Sequence, residues 1–136
     1  MTYEEAVKLL MQLRCKRAIV NRLRARIEEV RQDYSAIASG LSGIGSKNAD
    51  CMTKAEMLVD KVLEVQKRYE TALNEFLELE SRLYDNFYDL NEEERYVVLE
   101  SYMSGKPAWK IGNELGYSER TIKRRRVNAI KKICKN

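Results

Sequence analysis

Apolar side chains recur every seven residues from the start of the chain to about residue 38, in two interleaved registers. The first register is Ala6, Leu13, Val20, Ile27 and Tyr34, and the second is Leu9, Lys16, Leu23, Val30 and Ile37. A seven-residue apolar repeat is typical of an α-helix that packs along a seam. The pattern therefore predicts one helix over residues 3–38, with Lys16 as a polar break in its seam.

The same repeat predicts a second helix over residues 53–89. Its registers are Ala55, Val62, Tyr69, Phe76, Leu83 and Leu90, and Leu58, Val65, Ala72, Leu79 and Asn86. Thr53 followed by Glu56 predicts a capping box at its start. The segment 39–52 is rich in glycine and serine and is predicted as a loop. Two helices of nearly equal length on one connector favour a long antiparallel hairpin, coiled-coil-like, over residues 1–89.

After Leu90 the repeat stops, and short elements with clear end signals follow. Asn91, Pro107 and Ser118 predict the starts of helices over residues 92–103, 108–115 and 119–134. Gly116 fits the left-handed position that ends the middle helix. The large apolar residues of the middle helix are Trp109, Ile111 and Leu115, and those of the last helix are Ile122, Ala129, Ile130 and Ile133. The predicted fold is all-α, with residues 90–136 as a tri-helical helix-turn-helix.

The charge is concentrated at the end of the chain. The net charge is +4, but residues 106–136 hold ten basic and two acidic groups, whereas residues 53–105 hold six and thirteen. A basic run on the second helix of a helix-turn-helix favours DNA binding, because that helix fits the major groove. The run is Arg120, Lys123, Arg124, Arg125 and Arg126.

Residues 90–133 resemble region 4 of bacterial sigma factors, on the line from Trp109 to Arg124 and its close from Ala129 to Ile133. The resemblance implies helix-turn-helix core positions at Ile111, Leu115, Tyr117, Ile122 and Ile130. Candidate base-reading residues are then Ser118, Glu119, Arg120, Lys123 and Arg124, and candidate phosphate contacts are Lys106, Lys110, Arg125 and Arg126. Arg125 departs from the family pattern, which has an apolar residue there, and Glu119 stands where a basic residue is common.

The whole chain is similar in organisation to small phage and prophage regulators of the ArpU/RinA late-gene type. This implies a sequence-specific DNA-binding transcriptional regulator, with double-stranded DNA as partner and RNA polymerase as a further candidate partner. The hairpin is expected to form a homodimer. Apolar residues of the second helix are expected near the centre of buried surface, either between chains or against the first helix: Tyr69, Phe76, Leu83 and Phe87.

Two other functions compete with this interpretation: a small-terminase-like DNA-packaging protein, and a coiled-coil interaction protein that binds no DNA. An enzyme is not expected, because the chain has no histidine and no nucleotide-binding loop. Cys15, Cys51 and Cys134 are far apart, so reduced thiols are expected and no metal or cofactor. An acidic N-terminus and the lack of an eighteen-residue apolar run predict a cytoplasmic protein without a membrane span.

Overall fold

The computed structural model describes residues 1–41 and 48–135, and for residues 40, 41 and 48–52 the backbone alone. These residues form five helices and no strand, so the all-α class is confirmed. The helices are α1 (Tyr3–Leu41), α2 (Asn48–Tyr84), α3 (Glu92–Tyr102), α4 (Ala108–Leu115) and α5 (Glu119–Lys135). Residues 39–41 and 48–52 of the predicted loop are helical, and residues 42–47 lie outside the described residues.

The ends of α2 differ from the prediction. The helix begins at Asn48, so Thr53 lies inside it and the capping box predicted there is wrong. It stops at Tyr84, five residues before the predicted end. Beyond it, Asn86 Nδ2 donates to the carbonyl of Arg82 at 3.1 Å and satisfies a carbonyl of the last turn. Asn86 is therefore a residue of the α2–α3 connection and not of a helical seam.

The short helices begin and end at the predicted signals. The Asn91 side chain accepts the Glu94 amide at 2.8 Å and caps α3, and Ser118 Oγ accepts the Thr121 amide at 3.2 Å at the start of α5. Gly116 closes α4 with φ 80°, the left-handed conformation that glycine adopts without a Cβ penalty. Local capping chemistry thus defines α3, α4 and α5.

The chain divides into two compact units. Unit 1 is Met1–Arg17 with Phe76–Asn136, and unit 2 is Ala18–Glu75. This division does not coincide with the predicted domain boundary between residues 89 and 90. The reason is a core of unit 1 that combines the first turns of α1, the end of α2 and the helices α3 and α5. Its buried residues are Ala6, Leu10, Leu13, Leu83, Phe87, Leu90, Val98, Ala129, Ile130 and Ile133.

A second core of unit 1 joins α3, α4 and α5. Its buried residues are Val97, Ala108, Ile111 and Ile122, with Tyr96, Leu115 and Tyr117 packed at its edge. Four of the five core positions implied by the sigma-factor resemblance lie in this cluster, and the fifth, Ile130, lies in the larger core. The predicted apolar stripe of α5 is confirmed, since all four of its residues are fully buried.

Within unit 2, α1 and α2 run antiparallel. The amino-terminal part of α1 in this unit lies beside the carboxyl-terminal part of α2. For example, Arg24 Nη2 donates to the Tyr69 hydroxyl at 3.2 Å. The predicted seam of α1 is buried at Val20, Ile27 and Val30, but Tyr34 is 39% exposed and is not part of it.

Three of the four apolar residues expected near the centre of buried surface lie in unit 1, and all three pack within the chain. Leu83 and Phe87 share a core with Leu10 and Leu13, and Phe76 packs against it. This is the second of the two expected arrangements, packing against the first helix. No helix in the described ranges is both long and apolar enough for a bilayer.

Candidate nucleic-acid interface

The apolar residues that α5 buries in the core determine which side of the helix is exposed. Ile122, Ala129, Ile130 and Ile133 occupy one side of the helix and are fully buried. The opposite side carries residues at intervals of four, four, three and four, which share one face of an α-helix. We call this set the basic face: Arg120, Arg124, Asn128, Lys131 and Lys135, all exposed.

The amino half of the basic face contains the candidate base-reading arginines. Arg120 and Arg124 are exposed and form no hydrogen bond or ion pair with the described residues. Beside them, Lys123 pairs with Glu119 at 3.3 Å, with both side chains about half exposed. Ser118 is engaged in capping and also lies 2.9 Å from the Thr121 hydroxyl. The two arginines are therefore the cations of this region that remain available to a ligand.

Arg125 is held inside unit 1 by two partners. Its guanidinium carbon lies 4.0 Å from the centre of the Tyr117 ring, a cation–π distance, and Nη1 donates to Glu93. The Tyr117 hydroxyl also donates to Glu93, at 3.4 Å. Arg125 thus ties α5 to α3 and to the α4–α5 turn, which makes it a poor candidate for the predicted phosphate contact.

Lys106 is also engaged internally. Its Nζ lies 2.9 Å from Glu100 and 3.2 Å from Glu114, and the Tyr96 hydroxyl donates to Glu114 as well. Hydrogen bonds to Glu100 and Glu114 hold the pKa of Lys106 above its ordinary value. Hydrogen bonds from Tyr96 and Lys106 lower the pKa of Glu114. Lys106 is compensated by two carboxylates and has little charge to offer a phosphate.

Two other predicted phosphate contacts differ in availability. Lys110 is exposed on α4, without an ion pair among the described side chains, and remains a candidate. Arg126 is half-buried with its guanidinium 6.0 Å from the Tyr102 ring. Trp109, expected among the apolar residues of α4, is 55% exposed and lies outside both cores.

The sequence reasoning missed the carboxyl half of the basic face. Asn128, Lys131 and Lys135 continue the spacing that begins at Arg120, but they lie beyond the run of basic residues at 120–126 on which the prediction rested. They border a cleft of about 490 Å³, which we call the carboxyl-end cleft. Its lining residues are Asn91, Glu94, Arg125, Asn128, Lys131, Lys132 and Lys135.

The described residues contain no cluster of side chains that could hold a metal ion. Of the cysteines, Cys15 and Cys134 are free thiols, and the side chain of Cys51 lies outside the described residues. Comparison with known proteins returns no match, whether against family models, curated proteins or solved structures. The function is therefore argued from the geometry and charge of this interface.

Proposed function

We propose that the protein is a sequence-specific DNA-binding transcriptional regulator that inserts the amino half of α5 into the major groove. The observation that carries the proposal is the pair Arg120 and Arg124, exposed and uncompensated opposite the buried stripe of α5. A guanidinium fork matches the O6 and N7 acceptors of guanine, and each such bidentate contact discriminates by about 1–3 kcal/mol.

The close approach of α4 and α5 supports the same proposal. A Cβ on the buried Gly112 would lie 2.5 Å from the Tyr117 carbonyl oxygen, so the turn folds tightly back on α4. Lys110 is exposed on that helix. In helix-turn-helix proteins the second helix reads bases while the first crosses the backbone. Lys110 is thus the α4 residue suited to a phosphate.

Binding to labelled duplexes, measured by fluorescence anisotropy at several salt concentrations, tests the proposal. A duplex selected from a random library should bind more tightly than an unselected one. Arg120→Ala or Arg124→Ala should weaken binding by about 1–3 kcal/mol and relax base preference at one position. Lys67→Ala, which removes an exposed charge on α2 in unit 2, is the control and should bind like the wild type. Equal affinity in all four proteins would refute the assignment to α5.

The regulatory role rests on the resemblance to sigma region 4 and to late-gene regulators of phages and prophages. Chromatin precipitation should recover promoter regions, where RNA polymerase is a candidate partner. Recovery of one packaging site, together with ring-shaped oligomers in solution, would favour the packaging alternative instead.

Exposed apolar side chains in unit 2 support self-association of the hairpin. Met57 is 64% exposed and Leu63 is 59% exposed, and both lie on α2. We infer a dimer, because one helix-turn-helix makes few base contacts and specific sites usually contain two half-sites. Sedimentation of the wild type and of Leu63→Glu tests it. A wild type that sediments at 15.9 kDa at micromolar concentration would refute the dimer and leave DNA binding intact.

A further inference from the structure

We propose that the carboxyl half of α5 contacts the phosphate backbone of the DNA next to the groove that its amino half reads. This inference rests on the proposed function. It assigns Lys131 and Lys135, which the sequence analysis did not single out, as phosphate contacts at the carboxyl-end cleft.

The basic face is continuous over the whole of α5. From Arg120 to Lys135 it spans about 22 Å at about 1.5 Å per residue. All of its residues lie opposite the stripe that packs into the cores of unit 1. A duplex seated on Arg120 and Arg124 can therefore follow the same face toward the end of the helix.

Ion pairs with α3 divide the cations around the carboxyl-end cleft into two groups. Glu93 pairs with Arg125, and Glu94 pairs with Lys132 at 2.8 Å. Lys131 and Lys135 form no such pair with the described residues and are exposed. Among the described residues, Glu94 is the one carboxylate that lines the cleft, and it is already paired with Lys132, so the cleft presents the positive charges of Lys131 and Lys135.

The residue types along the face change with position. Arginines stand at the amino end, where a planar fork suits base edges, and lysines stand at the carboxyl end. A lysine ammonium is a compact point charge on a flexible stem, which suits a phosphate without requiring a fixed geometry. This distribution favours base reading at one end of α5 and backbone contact at the other.

The salt dependence of DNA binding tests the inference in the full-length protein. Each phosphate contact contributes about 0.9 to the slope of log K against log salt, so Lys131→Gln/Lys135→Gln should flatten the slope by about two. Base preference should not change, because phosphate contacts carry no sequence information. The Lys131→Arg/Lys135→Arg variant should keep the wild-type slope, since it preserves both charges.

Two controls separate this inference from the proposed function. Lys67→Gln removes an exposed charge in unit 2 and should leave the slope unchanged. If the wild type binds DNA and the double glutamine variant keeps its slope, the phosphate assignment is overturned while the proposed function stands. If the wild type binds no duplex at low salt, both are overturned.

Discussion

Replacing Arg125 by glutamine separates a residue that positions α5 from one that contacts DNA. The side chain is 36% exposed, and its guanidinium lies 4.0 Å from the Tyr117 ring centre. A cation–π contact at this intermediate exposure contributes about 1 kcal/mol. The ion pair with Glu93, itself 34% exposed, adds about 0.5 kcal/mol after solvent screening. We expect Arg125→Gln to destabilise the protein by about 1.5 kcal/mol.

Thermal unfolding without DNA measures this effect. Unfolding entropy near 60 °C is about 2.1 cal/mol/K per residue, so 1.5 kcal/mol lowers the Tm of 136 residues by about 5 °C. Arg124→Gln is the matched control, because it removes the same charge from the preceding residue, which has no partner among the described side chains. Its effect on stability should stay within about 0.5 kcal/mol.

The two variants should exchange their ranking in DNA binding. Arg124→Gln should lose more affinity than Arg125→Gln, although it is the more stable protein. In addition, Glu93→Gln with Arg125→Gln should be less destabilising than the sum of the single changes, because the two residues share one interaction. Equal Tm values for the Arg124 and Arg125 variants would refute the positioning role of Arg125.

Four further outcomes follow from the structure. Gly112→Val should destabilise the protein by about 2–3 kcal/mol, measured by urea titration, since even a Cβ would lie 2.5 Å from the Tyr117 carbonyl oxygen. A variant as stable as the wild type would contradict that packing. Because the folded pKa of Glu114 lies below its ordinary value, its stabilising contribution exists above the unfolded pKa and disappears as pH falls through the folded one. Glu114→Gln should therefore reduce the loss of stability between about pH 5 and pH 3, and an unchanged acid titration would argue against the hydrogen bonds. Leu63→Glu should lower the dimer population in sedimentation while the helical content measured by circular dichroism is unchanged, as the side chain is 59% exposed. Deleting residues 1–17 should unfold the C-terminal helices, because Ala6, Leu10 and Leu13 belong to their core. A fragment whose amide NMR signals keep the native dispersion would show that this core forms without α1.

Helix ends set by local chemistry were predictable, and ends set by distant packing were not. Asn91, Gly116 and Ser118 act within three or four residues, and each defines a helix end as expected. The seven-residue repeat, by contrast, continues through Asn86 and Leu90 although α2 stops at Tyr84. Leu90 is buried because it belongs to the unit 1 core, which combines residues of α1, α2, α3 and α5 and which a repeat along one helix cannot reveal.

The candidate interface was predictable in position but not in composition. The spacing on α5 was sufficient to find Arg120 and Arg124, and the same spacing could have revealed Lys131 and Lys135. The partner of Arg125 could not be found this way, because Glu93 lies 32 residues earlier in the chain. Pairing across such a separation depends on how α3 packs against α5, and it decides which cations remain free.

A basic run becomes a binding surface only where a core orients it. In α1, Arg22 and Arg26 stand four residues apart and share one side of the helix, whereas Arg24 lies on the other side. Arg24 donates to the Tyr69 hydroxyl and Arg26 pairs with Glu29 within the same helix, so two of these three charges are engaged inside the chain. In α5 the buried isoleucines fix one side of the helix along its length and leave the opposite side exposed over the same length. The extent of the basic face thus follows from the apolar residues behind it. A substitution in that core should alter DNA binding by reorienting α5, even though no basic residue is replaced.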